Sequence, residues 1–169
     1  GGLTVLAVSY FKKINFLAFA DYVAPGVLLA QGIGRWGNFM NGEAYGYQTD
    51  IFCRMGLQNA NTFSDFGTAE MVYVHPTFLY ESLWNLIGFI LINIFYKKKR
   101  FDGQIMLMYI SWYGFGRMFI ELLRTDSLTN GAGIRISSLV GLLSFIVAGS
   151  LLLYLFIKSK GNRTYGSEI

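Results

Sequence analysis

Three long apolar runs constrain this chain more than any other feature of its sequence. Residues 77–96, 103–122 and 136–157 each have about the 20 residues that an α-helix needs to cross the hydrocarbon core of a bilayer. The first run contains one charged residue, and the last contains none. Only 14% of the residues in the chain are charged, whereas soluble domains carry about 25%. The pattern predicts an integral membrane protein.

Two earlier apolar runs are shorter or less regular. Residues 14–33 contain Asp21 and the pair Pro25-Gly26, which predicts a kinked or interrupted helix whose freed backbone groups are satisfied by neighbouring protein. Residues 3–11 cover about half a bilayer crossing, and the chain begins without an initiator methionine. We therefore expect the sequence to start partway into a larger protein, near the start of a membrane helix. An interfacial segment is the alternative for this first run.

Basic residues cluster at the ends of the apolar runs, where they indicate topology. Alternate threading of the helices places all the clusters on one side, which the positive-inside rule assigns to the cytoplasm. Because the net charge of +4 is explained by these clusters, no nucleic-acid partner is expected. The segment 42–74 and the 125–135 loop then face outward. The clusters are Lys12-Lys13, residues 97–100, and Lys158, Lys160 and Arg163.

The polar segment 42–74 lacks helical periodicity, so we expect a small extramembrane domain or long loop there. Short strands are expected near residues 51–55 and 71–74. The predicted fold class is all-α: a polytopic transmembrane helix bundle with a small extramembrane insertion on the periplasmic side. The predicted division is 1–41, partial and interrupted transmembrane helices; 42–76, an outer-face head segment; 77–157, three transmembrane helices; and 158–169, a cytoplasmic tail.

Four polar side chains recur near the end of the second long run. Tyr113, Arg117, Glu121 and Arg124 are spaced so that they lie along one face of a helix. Charges at this depth require a partner or a function. The residues form either an Arg–Glu–Arg ladder that fixes helix packing or a polar stripe that lines a headgroup or substrate cavity. The sequence leaves both interpretations open.

Ionisable residues also lie near the start of the first long run. Glu81 needs a cationic partner there, and Arg35 and Arg117 are the candidates. His75 is the only histidine, and we interpret it as a capping and packing residue, with a catalytic role as the alternative. Cys53, the only cysteine, is interpreted as structural because a thiol without an activating base is a weak nucleophile candidate. The tryptophans fit interfacial-belt and packing roles.

Residues 32–43 combine four glycines with several hydrogen-bonding side chains. The glycines allow turns or close approach to another element, and the planar donors of Arg35 suit a phosphate group. Snorkelling to the interface would explain Arg35 alone, but not the side chains of Asn38, Asn41 and Glu43 beside it. The segment therefore predicts a polar turn at the membrane boundary.

The run from Gly34 to Gly46, GRWGNFMNGEAYG, closely resembles the pattern of the prolipoprotein diacylglyceryl transferase family. The opening Gly1-Gly2-Leu3 is similar to the tail of the family's His-Gly-Gly-Leu motif, whose histidine is not in this sequence. The resemblance runs from the first residue to about residue 157. Other stretches that match in order are Asp21 with Pro25, HPTFLYE at 75–81, and YGFGRMFIELLR at 113–124.

The resemblance implies a multi-pass transferase that moves the diacylglyceryl group of phosphatidylglycerol to the lipobox cysteine thiol of a prolipoprotein. The products would be a thioether and glycerol phosphate. The implied partners are phosphatidylglycerol, the lipobox peptide and membrane lipids, with no metal or organic cofactor. The active site would face the outer, periplasmic side of the bacterial inner (cytoplasmic) membrane. Because the motif histidine is absent, the activity of the isolated chain is left open.

The resemblance also implies roles for individual residues. Fixed arginine donors would stabilise the charge of the leaving phosphate. The group that takes the thiol proton is not determined, because geometry comes before pKa in choosing a base. The implied catalytic residues are Arg117, Glu43 and His75, and the implied substrate-binding residues are Arg35, Asn38, Gly46, Tyr113, Glu121, Arg124 and Glu81.

Two other classes of function are alternatives to the enzyme. A membrane transporter would line a permeation path with the same charged residues, but transporters favour an internal repeat, and the sequence has no convincing one. A non-catalytic phospholipid-binding subunit would keep the arginines for headgroup contact without turnover.

Overall fold

The structure is a computed structural model that describes residues 2–125, 127, 129 and 135–165, with side chains from residue 6 to residue 159 of these. Gly1, most of the 125–135 loop, the side chains of Lys160 and Arg163 and the last four residues lie outside the described residues, so the expectations that concern them stay predictions. The elements in chain order are α1 (Gly2–Phe11), α2 (Phe16–Asn41), β1 (Met55–Leu57), α3 (Ala60–Phe66), β2 (Val72–Val74), α4 (Thr77–Tyr96), α5 (Gln104–Ile120), a 3-10 helix (Glu121–Leu123) and α6 (Ile136–Tyr165).

The predicted fold class is confirmed. Helices α2, α4 and α6 are each long and apolar enough to cross a membrane. Helix α5 has 17 residues and packs against all three of them. Many large apolar side chains on the outer faces of the bundle are exposed, as expected for surfaces that face lipid. The finer division at residues 41, 76 and 157 stays a prediction.

Helix α2 is continuous across Asp21 and Pro25, so of the two predicted alternatives the interruption is wrong, and the kink stays a prediction. Pro25 lies inside the helix and cannot donate to the carbonyl group of Asp21. The buried side chains around it, Ala24 and Leu28, pack into a core with α4 and α5, and this packing holds the helix together across the proline. The helix begins after Asn15, whose side chain accepts hydrogen bonds from two backbone amides of the first turn.

The expected turn at residues 32–43 is also wrong for most of its length. Helix α2 continues to Asn41, and only Gly42 adopts a left-handed conformation, with φ of 60°. The other glycines of the motif are helical. Among them, Gly32 faces α4, where a Cβ would lie 3.4 Å from the carbonyl oxygen of Ser82, an ordinary van der Waals distance.

The head segment is a small unit built on an antiparallel pair of strands. β1 pairs with β2 in a register that places Met55 opposite Val74. The expected strand near 71–74 is confirmed by β2, whereas the strand expected at 51–55 begins only at Met55. The helix α3 was not expected, and a capping box between Asn59 and Thr62 stabilises its start. A core of Tyr45, Met55, Val72, Val74 and Phe78 joins the head to the first turn of α4.

The end of the bundle opposite the head collects the basic segments. Asn15, before α2, donates to Asp102 in the α4–α5 turn at 2.7 Å. The guanidinium of Arg100 lies 4.1 Å from the ring centroid of Phe156 in α6. These contacts bring the start of α2, the α4–α5 turn and the C-terminal half of α6 together, in agreement with the alternate threading inferred from the charge clusters. The assignment of this end to the cytoplasm stays a prediction.

Candidate functional site

A cluster of ion pairs lies where the head meets the helix bundle, and Glu81 is at its centre. Glu81 lies on α4 and is 4% exposed. Its Oε2 is 2.6 Å from Nη2 of Arg35, and its Oε1 is 2.9 Å from Nη1 of Arg117. The sequence predicted that Glu81 needs one of these two arginines, and the structure brings it to both. We call Arg35, Glu81, Arg117, Glu121 and Arg124 the arginine cluster.

The far side of the arginine cluster is built from the end of α5. Nη2 of Arg117 is 2.6 Å from Oε2 of Glu121, which is one helical turn further on and 2% exposed. The α-helix ends at Ile120, so Arg124 follows a 3-10 turn with extended backbone and does not continue the helix face. Its Nη1 lies 3.9 Å from Oε1 of Glu81. The expected single face is therefore corrected at Arg124, which reaches the cluster from the chain beyond the helix.

A chain of hydrogen bonds links Arg35 to the end of α2. Nη1 of Arg35 donates to Oδ1 of Asn38 at 3.3 Å, and Nδ2 of Asn38 donates to Oε1 of Glu43 at 3.1 Å. The same Oε1 accepts from Asn41 at 3.1 Å. Gly42 makes this possible, because its left-handed conformation turns the chain back over the last helical turn. Glu43 is thus fixed by two amides and connected to Arg35 through one of them.

Gly46 and His75 meet where the head backbone crosses the top of α4. The amide of Gly46 donates to the carbonyl of His75 at 3.0 Å. A Cβ on Gly46 would lie 2.7 Å from both the Cβ of His75 and the carbonyl oxygen of Leu123. The ring Nδ1 of His75 lies 3.1 Å from the hydroxyl of Tyr80. Among the contacts described for these residues, none joins the imidazole of His75 to the arginine cluster.

Tyr113 extends the polar surface below Arg117. Tyr113, Arg117, Ser137 and Gly141 are among the residues that line a cleft of about 260 Å³ between α5 and α6. The ring of Tyr113 stacks on that of Tyr109, with 6.1 Å between the centroids. The pairing of Arg117 with Glu121 agrees with the ladder interpretation of the Tyr113–Arg124 series. Of this series, Tyr113 and Arg117 line the cleft, and the interpretation as a headgroup or substrate cavity stays a prediction.

Sequence reasoning missed several residues near the cluster. Arg135 donates from Nη1 to the carbonyl of Glu121 and from Nη2 to the hydroxyl of Tyr47 at 2.7 Å. Nε2 of Gln31 donates to the hydroxyl of Tyr109 at 3.1 Å. The only sequence signal for Gln31 was its place one helical turn before Arg35. Arg135 was hidden because its partners are far away in the sequence.

The chemical capacity of the site follows from its donors. An arginine carries five N–H donors in a planar fork, and the contacts above occupy only part of that set for Arg35 and Arg117 among the described residues. Partly buried guanidiniums held by fixed carboxylates suit an anionic group such as a phosphate. No group of three or more His, Cys, Asp or Glu side chains that could hold a metal ion occurs in the part of the chain that the structure describes.

Known proteins share this sequence closely. The profile of the prolipoprotein diacylglyceryl transferase family matches residues 1–154. Relatives named phosphatidylglycerol–prolipoprotein diacylglyceryl transferase include one from Listeria welshimeri, 45% identical over 156 residues that cover 92% of this chain and 56% of the relative. One from Enterococcus faecalis is 47% identical over 150 residues, covering 88% and 54%. One from Staphylococcus aureus is 43% identical over 159 residues, covering 94% and 56%. The chain spans about half the length of these curated relatives.

Proposed function

Because the chain belongs to the prolipoprotein diacylglyceryl transferase family, we propose that the full-length protein transfers the diacylglyceryl group of phosphatidylglycerol to a prolipoprotein. The acceptor is the lipobox cysteine thiol of the precursor, and the reaction is the first step of lipoprotein maturation. The observation that carries the proposal is the convergence of Arg35 and Arg117 on the buried carboxylate of Glu81. Both proposed substrates are inferred from the names of the relatives. The two arginines support the proposal because their donors suit the phosphate group of phosphatidylglycerol.

The proposed reaction forms one bond and breaks one. The thiolate sulfur attacks the glycerol carbon that carries the phosphate, the C–S bond forms and the C–O bond breaks. Glycerol phosphate then leaves with the electron pair and the negative charge. Arg35 and Arg117 would stabilise that charge as it develops. Stabilisation of developing charge by fixed donors is usually the largest single contribution to the rate enhancement of an enzyme. The thiol proton must be taken up before or during the attack.

Glu43 and His75 are the proposed candidates for the base that takes the thiol proton. Glu43 is connected to Arg35 through Asn38. His75 is hydrogen-bonded to Tyr80 instead. Glu43 is therefore the candidate whose charge is linked to the phosphate site through Asn38, whereas the imidazole of His75 is linked to Tyr80.

Glu81 and Glu121 would act by holding the arginines in position. Two guanidiniums that converge on one phosphate repel each other when the phosphate is absent, and a carboxylate between them removes this cost. Oε1 and Oε2 of Glu81 separate Arg117 from Arg35, while Glu121 fixes the second nitrogen of Arg117. The donors are thus arranged before the lipid arrives, so little reorganisation is needed in the transition state.

The proposed location is the bacterial inner membrane, with the arginine cluster and the head on the outer side. The basic segments at the other end of the bundle support this orientation through the positive-inside rule. Precursors would then reach the site after translocation, and phosphatidylglycerol would come from the surrounding bilayer.

The test is a transfer assay with the full-length protein, phosphatidylglycerol vesicles and a lipobox peptide that is weighed by mass spectrometry. The expected result is a mass gain of one diacylglyceryl group. In Arg35→Ala, the rate should fall by about 10²–10³-fold, because a donor to the leaving phosphate is lost. Arg54→Ala is the matched control, since Arg54 pairs with the exposed Asp50 on the head and lies outside the cluster.

Two outcomes would overturn the proposal. Turnover in Arg35→Ala equal to that of the unchanged protein would remove Arg35 from the phosphate site. No mass gain from folded, unchanged protein would reject the transferase. A phosphatidylglycerol-binding assay on the same sample would then separate a lipid-binding subunit, which retains affinity, from a transporter.

A further inference from the structure

Helices α4 and α5 meet through a reciprocal pair of tryptophans. Nε1 of Trp84 donates to the backbone carbonyl of Trp112 at 3.0 Å, and Nε1 of Trp112 donates to the backbone carbonyl of Trp84 at 3.0 Å. The two indole rings are stacked, with 4.2 Å between centroids and 11° between planes. We call this pair the indole clasp. Its contacts differ from the interfacial and general packing roles expected for these tryptophans, because each indole is tied to one backbone atom of the other helix.

Each indole also lies over a glycine of the opposite helix. A Cβ on Gly88 would overlap Nε1 of Trp112, and a Cβ on Gly116 would overlap Nε1 of Trp84. Gly88 follows Trp84 by four residues, and Gly116 follows Trp112 by four residues. The two helices therefore carry the same pattern, a Trp followed one turn later by a Gly. At their crossing, the Trp of each helix lies over the Gly of the other.

The indole clasp specifies the axial register of the two helices. One residue of sliding moves a helix by about 1.5 Å, which is enough to break a hydrogen bond of normal length. Because the two bonds run in opposite directions across the crossing, a slide cannot keep both. Stacked apolar rings alone would tolerate such a slide, since apolar burial is not directional.

The clasp lies beside the arginine cluster. Glu81 precedes Trp84 by three residues on α4, and Arg117 directly follows Gly116 on α5. Glu121, the second partner of Arg117, lies on the same chain segment and moves with it. The cluster thus has one part on α2 and α4 and another part at the end of α5, and the clasp joins the helices that carry them.

We propose that Trp84 and Trp112 are positioning residues, which hold Arg117 against Glu81 by fixing the register between α4 and α5. The proposal rests on the proposed function for its catalytic consequence, because a misplaced Arg117 would no longer meet the leaving phosphate together with Arg35. Its structural part, the coupling of the clasp to the Glu81–Arg117 pair, is independent of the reaction.

The first test replaces one indole at a time in the full-length protein. Trp84→Phe and Trp112→Phe keep an aromatic ring and remove one N–H donor each. Both should lower kcat per folded molecule by about ten- to a hundredfold, the loss that a displacement of about 1 Å produces. KM for phosphatidylglycerol should change by less than about threefold, because Arg35 and its bond to Asn38 are untouched.

The matched control removes an aromatic contact at the opposite end of the bundle. The ring centroid of Phe156 lies 4.1 Å from the guanidinium of Arg100, outside both the clasp and the arginine cluster. Phe156→Leu should lower the melting temperature without changing kcat per folded molecule. Circular dichroism of the stacked indoles provides a direct readout, since the coupled signal should vanish in Trp84→Phe and Trp112→Phe and persist in Trp36→Phe.

The second test measures coupling by melting temperature and needs no activity. Trp112→Phe and Glu81→Gln should be non-additive when combined, whereas Phe156→Leu and Glu81→Gln should add, as distant sites do. Additive shifts for Trp112→Phe and Glu81→Gln would overturn the register role. Unchanged kcat in both tryptophan variants would overturn the catalytic consequence. If the unchanged protein shows no transfer at all, the proposed function fails, and the coupling measurement still decides the register role.

Discussion

Asp21 and Glu81 are both buried carboxylates on membrane helices, and their surroundings differ in kind. Asp21 is fully buried and accepts from the backbone amides of Gly103 and Met106, each at 2.8 Å. Lys99 lies 3.0 Å from its second oxygen. Glu81 is contacted instead by guanidinium groups from separate segments of the chain.

The difference separates a structural contact from a proposed binding site. Backbone amides at the start of α5 are fixed in place, and a carboxylate there satisfies donors that the helix cannot satisfy itself. The group at Asp21 therefore joins α2 to the α4–α5 turn. The guanidiniums around Glu81 are larger, have more donors and can turn toward a second anion. The same burial of a charge thus serves stability at one end of the bundle and is proposed to serve lipid binding at the other.

The largest expected effect is that of Asp21→Ala. It leaves the two amides without their acceptor and Lys99 with Asp102 alone, so the free energy of unfolding should fall by about 5 kcal/mol, since each unsatisfied buried donor costs about 1–3 kcal/mol. Thermal unfolding in detergent measures this, and the transfer rate per folded molecule should stay unchanged. A loss of transfer rate without a loss of stability would contradict the assignment of a structural role to Asp21.

Glu121→Ala should have the next largest effect, on both stability and activity. Removing this carboxylate unpairs Nη2 of Arg117 while Glu81 still holds Nη1, so we expect a loss of about 3 kcal/mol, the lower end for a buried pair. The transfer rate should also fall, because Arg117 would be less firmly oriented. An unchanged melting temperature in detergent would show that Glu121 is solvated and not a partner of the arginine.

Gly46→Ala should disturb the outer site through the backbone. The added methyl group would meet the Cβ of His75 and the carbonyl of Leu123 at 2.7 Å, and overpacking of this kind costs about 1–3 kcal/mol. Gly26→Ala is the matched control, since it is helical and has nothing within 4 Å of the new methyl group among the described residues. The control should be neutral or slightly stabilising. Equal losses in the two variants would show that the crossing at Gly46 is not tightly packed.

The smallest effect is expected from Asp102→Asn at the opposite end. A hydrogen bond from Lys99 holds the pKa of Asp102 below its ordinary value of 3.8. The stabilisation is therefore complete above that pH and is lost as the pH falls through the lower folded-state value. The variant should melt within about 2 °C of the unchanged protein at neutral pH. This difference should close in acid, and a difference that persists at pH 2 would assign the effect to packing.

Lys99, the basic partner of Asp102, contributes a pH dependence of stability in the opposite direction. The hydrogen bond to Asp102 raises the pKa of Lys99, with a further contribution from Asp21. Its stabilisation is present below the ordinary lysine pKa of 10.5 and is lost as the pH rises through the higher folded-state value. The contribution of Lys99 can be measured separately from that of Asp102. The measurement compares the melting temperatures of Asp102→Asn and the unchanged protein at alkaline pH.

Single residues show how far the sequence could predict the site. The apolar run 77–96 coincides with α4, because a run of that length with one charge has few alternatives to a membrane helix. The partners of Glu81 were predicted from the cost of burying a lone carboxylate. Of the two alternatives predicted at Pro25, the interruption was wrong, because the rule for proline counts the lost hydrogen bond and not the packing that surrounds it. The indole clasp was missed, although each of its helices carries Trp and Gly four residues apart.

The sequence by itself determined a membrane helix bundle, its family and the residue types of the proposed anion site, because these follow from composition, periodicity and motif. Only the tertiary structure decided which guanidinium meets which carboxylate and how α4 is aligned with α5. Those pairings join residues that are far apart in the chain, as Arg35 and Glu81 or Trp84 and Trp112 are. Their distances depend on the summed packing of every helix, which no local pattern contains.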